Sequence, residues 1–164
     1  MVKINVVTQS MRLPFLILTP VSVLLGMSTV VADRAEVDVF ALALALLGAF
    51  MAHISVNTLN EYHDFRSGLD LATIRTPFSG GSGALPRNPE MAGTVLLVGI
   101  ICSLVLFVIG GYFVWLYGAG IIPVGILGLI LIATYTSWIN RHPLLCLVAP
   151  GLGFGFLMVA GTQF

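Results

Sequence analysis

Five residues whose side chains can bind, ligate or transfer protons recur at steps of three or four, with Asn60 and Glu61 adjacent: His53, Asn57, Asn60, Glu61 and Asp64. That spacing stacks them on one face of a helix. The stretch they belong to, NTLNEYHDFRSGLD over residues 57–70, is entered directly from a very apolar run. Carboxylates at the end of a membrane span are costly unless something neutralises them. Oxygen ligands gathered on one face suit a hard divalent cation, and Mg²⁺ is usually shared with a phosphate. Asp70 reaches the same place if the chain turns, which Gly68 permits. Glu61, Asp64 and Asp70 are therefore the candidate catalytic acids. With Asn60 they are also the candidate Mg²⁺ ligands, and Asn57 is a substrate contact on the same face. A metal-neutralised diphosphate would be a better leaving group.

Arginines flank this stretch. Arg66, Arg75 and Arg87 follow it, and Arg12 stands at the mouth of the first apolar run. A guanidinium can clamp phosphate oxygens in bidentate fashion, so Arg12, Arg66 and Arg75 are candidate substrate-binding residues. Tyr135 and Trp138 end the fourth apolar run, where an aromatic belt belongs. Tyr135 is also placed to shield a carbocation by its ring face. The run Gly80-Gly81-Ser82-Gly83 lacks the Lys-Ser/Thr of a nucleotide-binding loop and reads as a flexible connection. His53, inside the second span, reads either as a satisfied buried histidine or as a base on the acceptor side.

These residues must be held by membrane helices. The chain of 164 residues is 58% hydrophobic and only 9% charged, with a mean hydropathy of +1.05, against about 25% charged residues in a soluble domain. Five apolar spans are expected: Leu13–Ala32, interrupted by Pro14 and Pro20, then Val39–Leu59, Gly93–Tyr117, Ala119–Ile139 and Leu144–Phe164. This is an all-α, polytopic membrane bundle forming a single membrane domain over residues 1–164. Lys3, Arg12, Arg66, Arg75, Arg87 and Arg141 fall on one side, and only Arg34 on the other. By the positive-inside rule the N-terminus and the active-site loop, about residues 60–92, are cytoplasmic, and the protein sits in the cell (inner) membrane.

The net charge of zero gives no reason to expect a nucleic-acid partner. Cys102 and Cys146 lie in apolar runs and read as small buried hydrophobes. A cation transporter or channel subunit, or a non-catalytic assembly subunit, are the competing classes. A carrier is expected to hold ionisable groups near mid-membrane in several helices, and spans one, three and five have none at their centres.

Asn60-Glu61-Tyr62-His63-Asp64 followed by Gly68-Leu69-Asp70 resembles the first aspartate-rich motif of the UbiA-type intramembrane prenyltransferases. Glu61 stands where the commoner form has aspartate, and the last acid comes two positions late, at Asp70. That spacing, with Arg12-Leu13-Pro14, Thr76-Pro77-Phe78-Ser79-Gly80-Gly81 and Gly151-Leu152-Gly153-Phe154-Gly155, is similar to the branch that prenylates 1,4-dihydroxy-2-naphthoate in menaquinone synthesis. The resemblance implies Mg²⁺-dependent transfer of a polyprenyl group from its diphosphate to an aromatic acceptor, with membrane lipid around the bundle. It also implies a nine-helix fold with a second aspartate-rich motif. Residues 93–164 hold no Asp or Glu, and the chain stops inside an apolar run. The expectation is an N-terminal half that lacks the C-terminal half of the same polypeptide, and that is inactive alone.

Overall fold

The computed structural model describes residues 2–33, 36–74, 81–135 and 137–163. All the regular structure among them is helical. Helix α1 spans Val2–Ser10. A 3₁₀ segment, Leu13–Ile17, leads into α2, Leu18–Ala32. Pro20 falls in the first turn of α2, where a missing N–H costs nothing, so the expected interruption is confined to the entry around Pro14. Helix α3, Val39–Arg66, starts on the Asp38 cap, whose carboxylate accepts the N–H groups of Phe40 and Ala41. Two short helices follow, α4 (Leu69–Ala72) and α5 (Ala84–Arg87). Then come α6 (Ala92–Tyr117), α7 (Ile122–Tyr135), α8 (Pro143–Pro150) and α9 (Val159–Gln163). A π-helical stretch, Gly151–Met158, joins the last two.

Four of these segments are long and apolar enough to cross a membrane: Leu13–Ala32, Val39–Arg66, Pro89–Tyr117 and Pro143–Gln163. The protein is an integral membrane protein. The expected fourth span is shorter than the sequence pattern suggests. Ala119–Tyr135 covers about 25 Å at 1.5 Å per residue, below the ~30 Å hydrocarbon thickness. Residues 139–141 form a 3₁₀ turn instead of prolonging it, and Pro143 biases the residue before it away from the helical region. The second span errs in the opposite direction. No breaker occurs before Gly68, so α3 carries on through Asn60–Arg66, and the expected loop of 60–92 begins as helix. Gly68 then turns the chain at φ 79°, as its lack of a side chain allows.

The rest of that connection is folded. Ala84, Leu85, Met91 and Val95 bury themselves against Val6, with Phe65 and Val7 alongside. This apolar cap fixes α1 and α5 to the ends of α3 and α6, and Arg87 donates to Gln9 Oε1 across it at 3.0 Å. Deeper in the bundle, α3 and α6 pack closely. A Cβ on Gly99 would meet Leu59 Cδ2 at 2.8 Å. Ser55 uses that closeness to bond both Gly99 O, at 3.1 Å, and Ser103 Oγ, at 2.6 Å. Small residues that let backbones approach, with hydroxyls bonded across, are the usual glue between helices in lipid.

Candidate functional site

The polar stripe of α3 turns inward as its spacing predicts. His53, Asn57, Asn60, Glu61 and Asp64 are all buried. Their partners divide them into two groups. Glu61 is fully buried, and the turn at residues 81–83 binds it: Ser82 N–H donates to Oε2 at 2.9 Å and Ser82 Oγ to Oε1 at 2.5 Å. Arg12 Nη2 lies 3.7 Å from the same Oε2. Arg12 itself sits in the left-handed region, φ 53°, which costs a non-glycine residue about 1–2 kcal/mol. That backbone kink between α1 and the 3₁₀ entry aims its guanidinium at α3. Its Nε is buried with no hydrogen-bond partner among the described residues.

Asp64 has softer company. Its Oδ2 accepts Asn60 Nδ2 at 2.8 Å, and Asn140 Nδ2 stands 3.5 Å from it and 3.4 Å from Asn60 Oδ1. Asn140 comes from the turn after α7. Cys146 Sγ lies 3.7 Å from Asn140 Oδ1, and Tyr135 Oη is 4.0 Å from that sulfur. A chain of polar contacts thus runs from the end of α3 to the start of α8. Asp70 is buried on α4, with its carboxylate against Gly81. A Cβ there would come within 2.7 Å of Oδ1, and Gly81 adopts φ 67°.

Below this layer lies a cavity of about 560 Å³, the size of a small-molecule site. Arg12, Asn57, Asn60 and Tyr135 line one end. Ala45, Gly48, Ile109, Val114, Gly125 and Leu157 line the remainder. On α3 its lining runs from Asn60 to Ala45, about 22 Å at 1.5 Å per residue. The π-helical stretch contributes Gly153, Phe154 and Leu157 to the wall. Pro150 withholds the N–H that an α-helix would need there, and three glycines follow within five residues.

Of the expected site residues, the fold brings together Arg12, Asn57, Asn60, Glu61, Asp64 and Tyr135. Arg66 is exposed at the end of α3 and does not line the cavity. Arg75 lies outside the described residues, as does Gly80. Gly81–Gly83, read from sequence as flexible, is tied to α3 through Ser82. Ser82, Asn140, Cys146, Thr19 and Met11 were missed by sequence reasoning. Asn140 had a signal, being a polar residue beside Arg141 in an otherwise apolar half.

The acids do not pool. Among the described residues no three His, Cys, Asp or Glu side chains gather as a metal cluster, because Glu61 is turned to Ser82 and Asp70 to Gly81. What remains is the Asp64 carboxylate beside the Asn60 amide oxygen. Mg²⁺ commonly takes only one or two protein carboxylates and fills the other positions with water and substrate phosphate. The donor set at Asp64 and Asn60 fits a cation of that kind when it is shared with a phosphate.

No curated protein matches the chain, and no solved structure does. Residues 19–164, nearly the whole length and including every element that lines the cavity apart from the Arg12 approach, match one family, and on that match the chain belongs to the UbiA prenyltransferase family.

Proposed function

We propose that the protein moves a polyprenyl group from its diphosphate to an aromatic acceptor such as 1,4-dihydroxy-2-naphthoate, with Mg²⁺, as a step in quinone synthesis. Family membership carries the general prenyl-transfer reaction. The observation that carries the finer reading is the cavity, with a cation and amides at one end and walls beyond that are apolar apart from His53 and Thr162. An amphipathic diphosphate ester has that shape and that order of polarity. In this reading the N-terminus and the active-site layer face the cytoplasm across the inner membrane.

Asp64 and Asn60 would hold Mg²⁺, with Glu61 and Asp70 supporting, and the ion would neutralise the departing diphosphate. Arg12, which lines the same end of the cavity beside Glu61, would clamp the diphosphate oxygens, and Arg75 is a further candidate clamp. Asn140 holds the Asp64 carboxylate and the Asn60 amide in one orientation. The C1–O bond of the prenyl group breaks and diphosphate leaves. A ring carbon of the acceptor forms the new C–C bond and sheds a proton in the simplest case. Tyr135 and Phe154, both in the cavity wall, would shield the developing cation with their rings, and the apolar walls would exclude water that quenches it. The alternative, a cation transporter, is disfavoured by the same cavity, whose lining contains no carboxylate among the described residues.

The test is diphosphate release, in lipid nanodiscs with polyprenyl diphosphate and the dihydroxynaphthoate, by the natural polypeptide that carries this chain. Release is expected with Mg²⁺ present, lost with a chelator and restored by added metal. Release that is indifferent to chelation would overturn the metal assignment, and absence of prenylated arene would overturn the transferase reading.

A further inference from the structure

The polar side chains of the α3 stripe are pinned by short bonds. Asn57 Nδ2 donates to Met11 O at 2.9 Å. His53 Nδ1 shares a 2.9 Å hydrogen bond with Thr19 Oγ1, and its ring stands edge-on to Phe154 with centroids 4.6 Å apart. Asn60 Nδ2 donates to Asp64 Oδ2 at 2.8 Å. Asn140 is held differently. Its backbone is firm: His142 N–H closes the turn Ile139–Arg141 on Ile139 O at 3.0 Å, and the buried Ile139 anchors it. Its amide is loose. Nδ2 stands 3.4 Å from Asn60 Oδ1 and 3.5 Å from Asp64 Oδ2, while Oδ1 stands 3.7 Å from Cys146 Sγ. At these lengths each contact is weak. A fixed turn thus delivers a lightly bonded amide to the two oxygens that suit a cation.

An amide reversed about its last bond presents oxygen where it presented NH₂. Cys146 accommodates both orientations: its thiol donates to Oδ1, and its sulfur accepts from Nδ2. On the other side a reversed amide sets a third oxygen beside two others, and a cation among them turns that repulsion into attraction. Neighbouring oxygens around an octahedral Mg²⁺, with bonds of about 2.1 Å, are about 3.0 Å apart. The spacings at Asn140 are slightly wider, and a small inward movement closes them. We propose that Asn140 is a third protein ligand to the cation held by Asp64 and Asn60. Donation from Nδ2 orients the two oxygens before the ion binds, and Oδ1 joins them when it does. Glu61 is tied to Ser82 and Asp70 lies against Gly81, so a third donor has to come from another element. An amide adds a bond without adding charge. One carboxylate against Mg²⁺ leaves a net positive charge to face a diphosphate, and a second carboxylate at this position would cancel it. Cys146 is a positioning group behind the amide. The inference rests on the Mg²⁺ reading of Asp64 and Asn60, and not on the acceptor or the product.

The experiment loads the natural polypeptide that carries this chain, in nanodiscs, with Mn²⁺ in place of Mg²⁺. Electron paramagnetic resonance reads equilibrium binding, and water-proton relaxation reads the water on the bound ion. The ion followed is the one that Asp64→Ala removes. Asn140→Ala should weaken its binding about 10-fold, the lower end of what losing a group that supports a metal costs. It should also raise the hydration of the ion by about one water, which takes the position of the amide. Asn140→Asp keeps an oxygen there and adds charge, so binding should tighten at least ~10-fold with the hydration of the parent. Hydration unchanged in Asn140→Ala overturns the proposal, since an amide that only orients Asp64 leaves the coordination of the ion alone. So does weaker binding in Asn140→Asp, a result that counts even where the alanine variant does not fold. If Asp64→Ala removes no ion, the metal reading of the site falls and this inference falls with it. If hydration and affinity change as expected while no prenylated arene forms, Asn140 stands as a ligand and the transferase reading fails.

Discussion

Glu61 and Asp64 lie three residues apart on one face of one helix, and their surroundings could hardly differ more. Glu61 is enclosed, with a backbone N–H and a hydroxyl on its two oxygens and a guanidinium nearby. Asp64 is held by two side-chain amides, one of them, Asn140, at the 3.5 Å limit of a hydrogen bond. The first arrangement uses a carboxylate as a fastener, joining the 81–83 turn and the Arg12 kink to α3. The second leaves a carboxylate oriented but lightly engaged, which is what a ligand to a transient cation needs. Equal residue chemistry at equal spacing thus splits into support and action according to what the neighbouring loops deliver.

The comparison is sharpest at Asp64. Asp64→Ala is expected to lower turnover at least ~10²-fold, the usual scale for losing an oriented charge contact in a transition state. Turnover within twofold of the parent would break the assignment. Glu61→Ala should act first on stability. It strands the Ser82 donors, about 1–3 kcal/mol for a buried group left unsatisfied, and thermal melting in lipid would report it as a lower midpoint. Should it instead abolish turnover while leaving the melt unchanged, Glu61 would be a ligand and the division of labour would be wrong. Asn140→Ala removes only the weaker amide contact of Asp64. Its expected effect is a severalfold loss of turnover, reading a neutral bond at about 1 kcal/mol, with the melt close to the parent's. A loss as large as that of Asp64→Ala would move Asn140 from orienting the acid to touching the substrate. The mildest change is topological. Cysteines placed at Ser67 and at Glu36 should label from opposite faces of the membrane, and labelling from one face would invert the orientation read from the arginines.

Much of this was legible in the sequence because helices in lipid repeat simply. The apolar runs gave the long helices within a few residues, and the three-four spacing from His53 to Asp64 placed all five side chains on the inner face. The failures have a common cause. Whether Asn60–Arg66 continues a helix or starts a loop depends on Gly68, a breaker further on. The apparent fourth span ended early at a turn that apolar composition conceals. The partners that distinguish Glu61 from Asp64 come from Ser82 and Asn140, 21 and 76 residues away from them in sequence. No local period connects such positions; only the packing of α1, α5 and the turn after α7 does. The same limit hid the order in residues 81–83, where glycine composition suggested mobility and a buried carboxylate supplied an anchor.

The π-helical wall from Gly151 to Met158 carries a consequence for how this cavity can change. A helix closed by wider rings holds a residue more than an α-helix over the same rise, so its register is adjustable in a way that an α-helical wall is not. Removing one residue there would let the backbone relax toward α geometry and would swing everything beyond the deletion by about 100° around the axis. Phe154 would leave His53, and a different side chain would close the cavity at that height. Length variation in this segment would therefore reshape the chamber at a stroke, where point substitutions could only trim it.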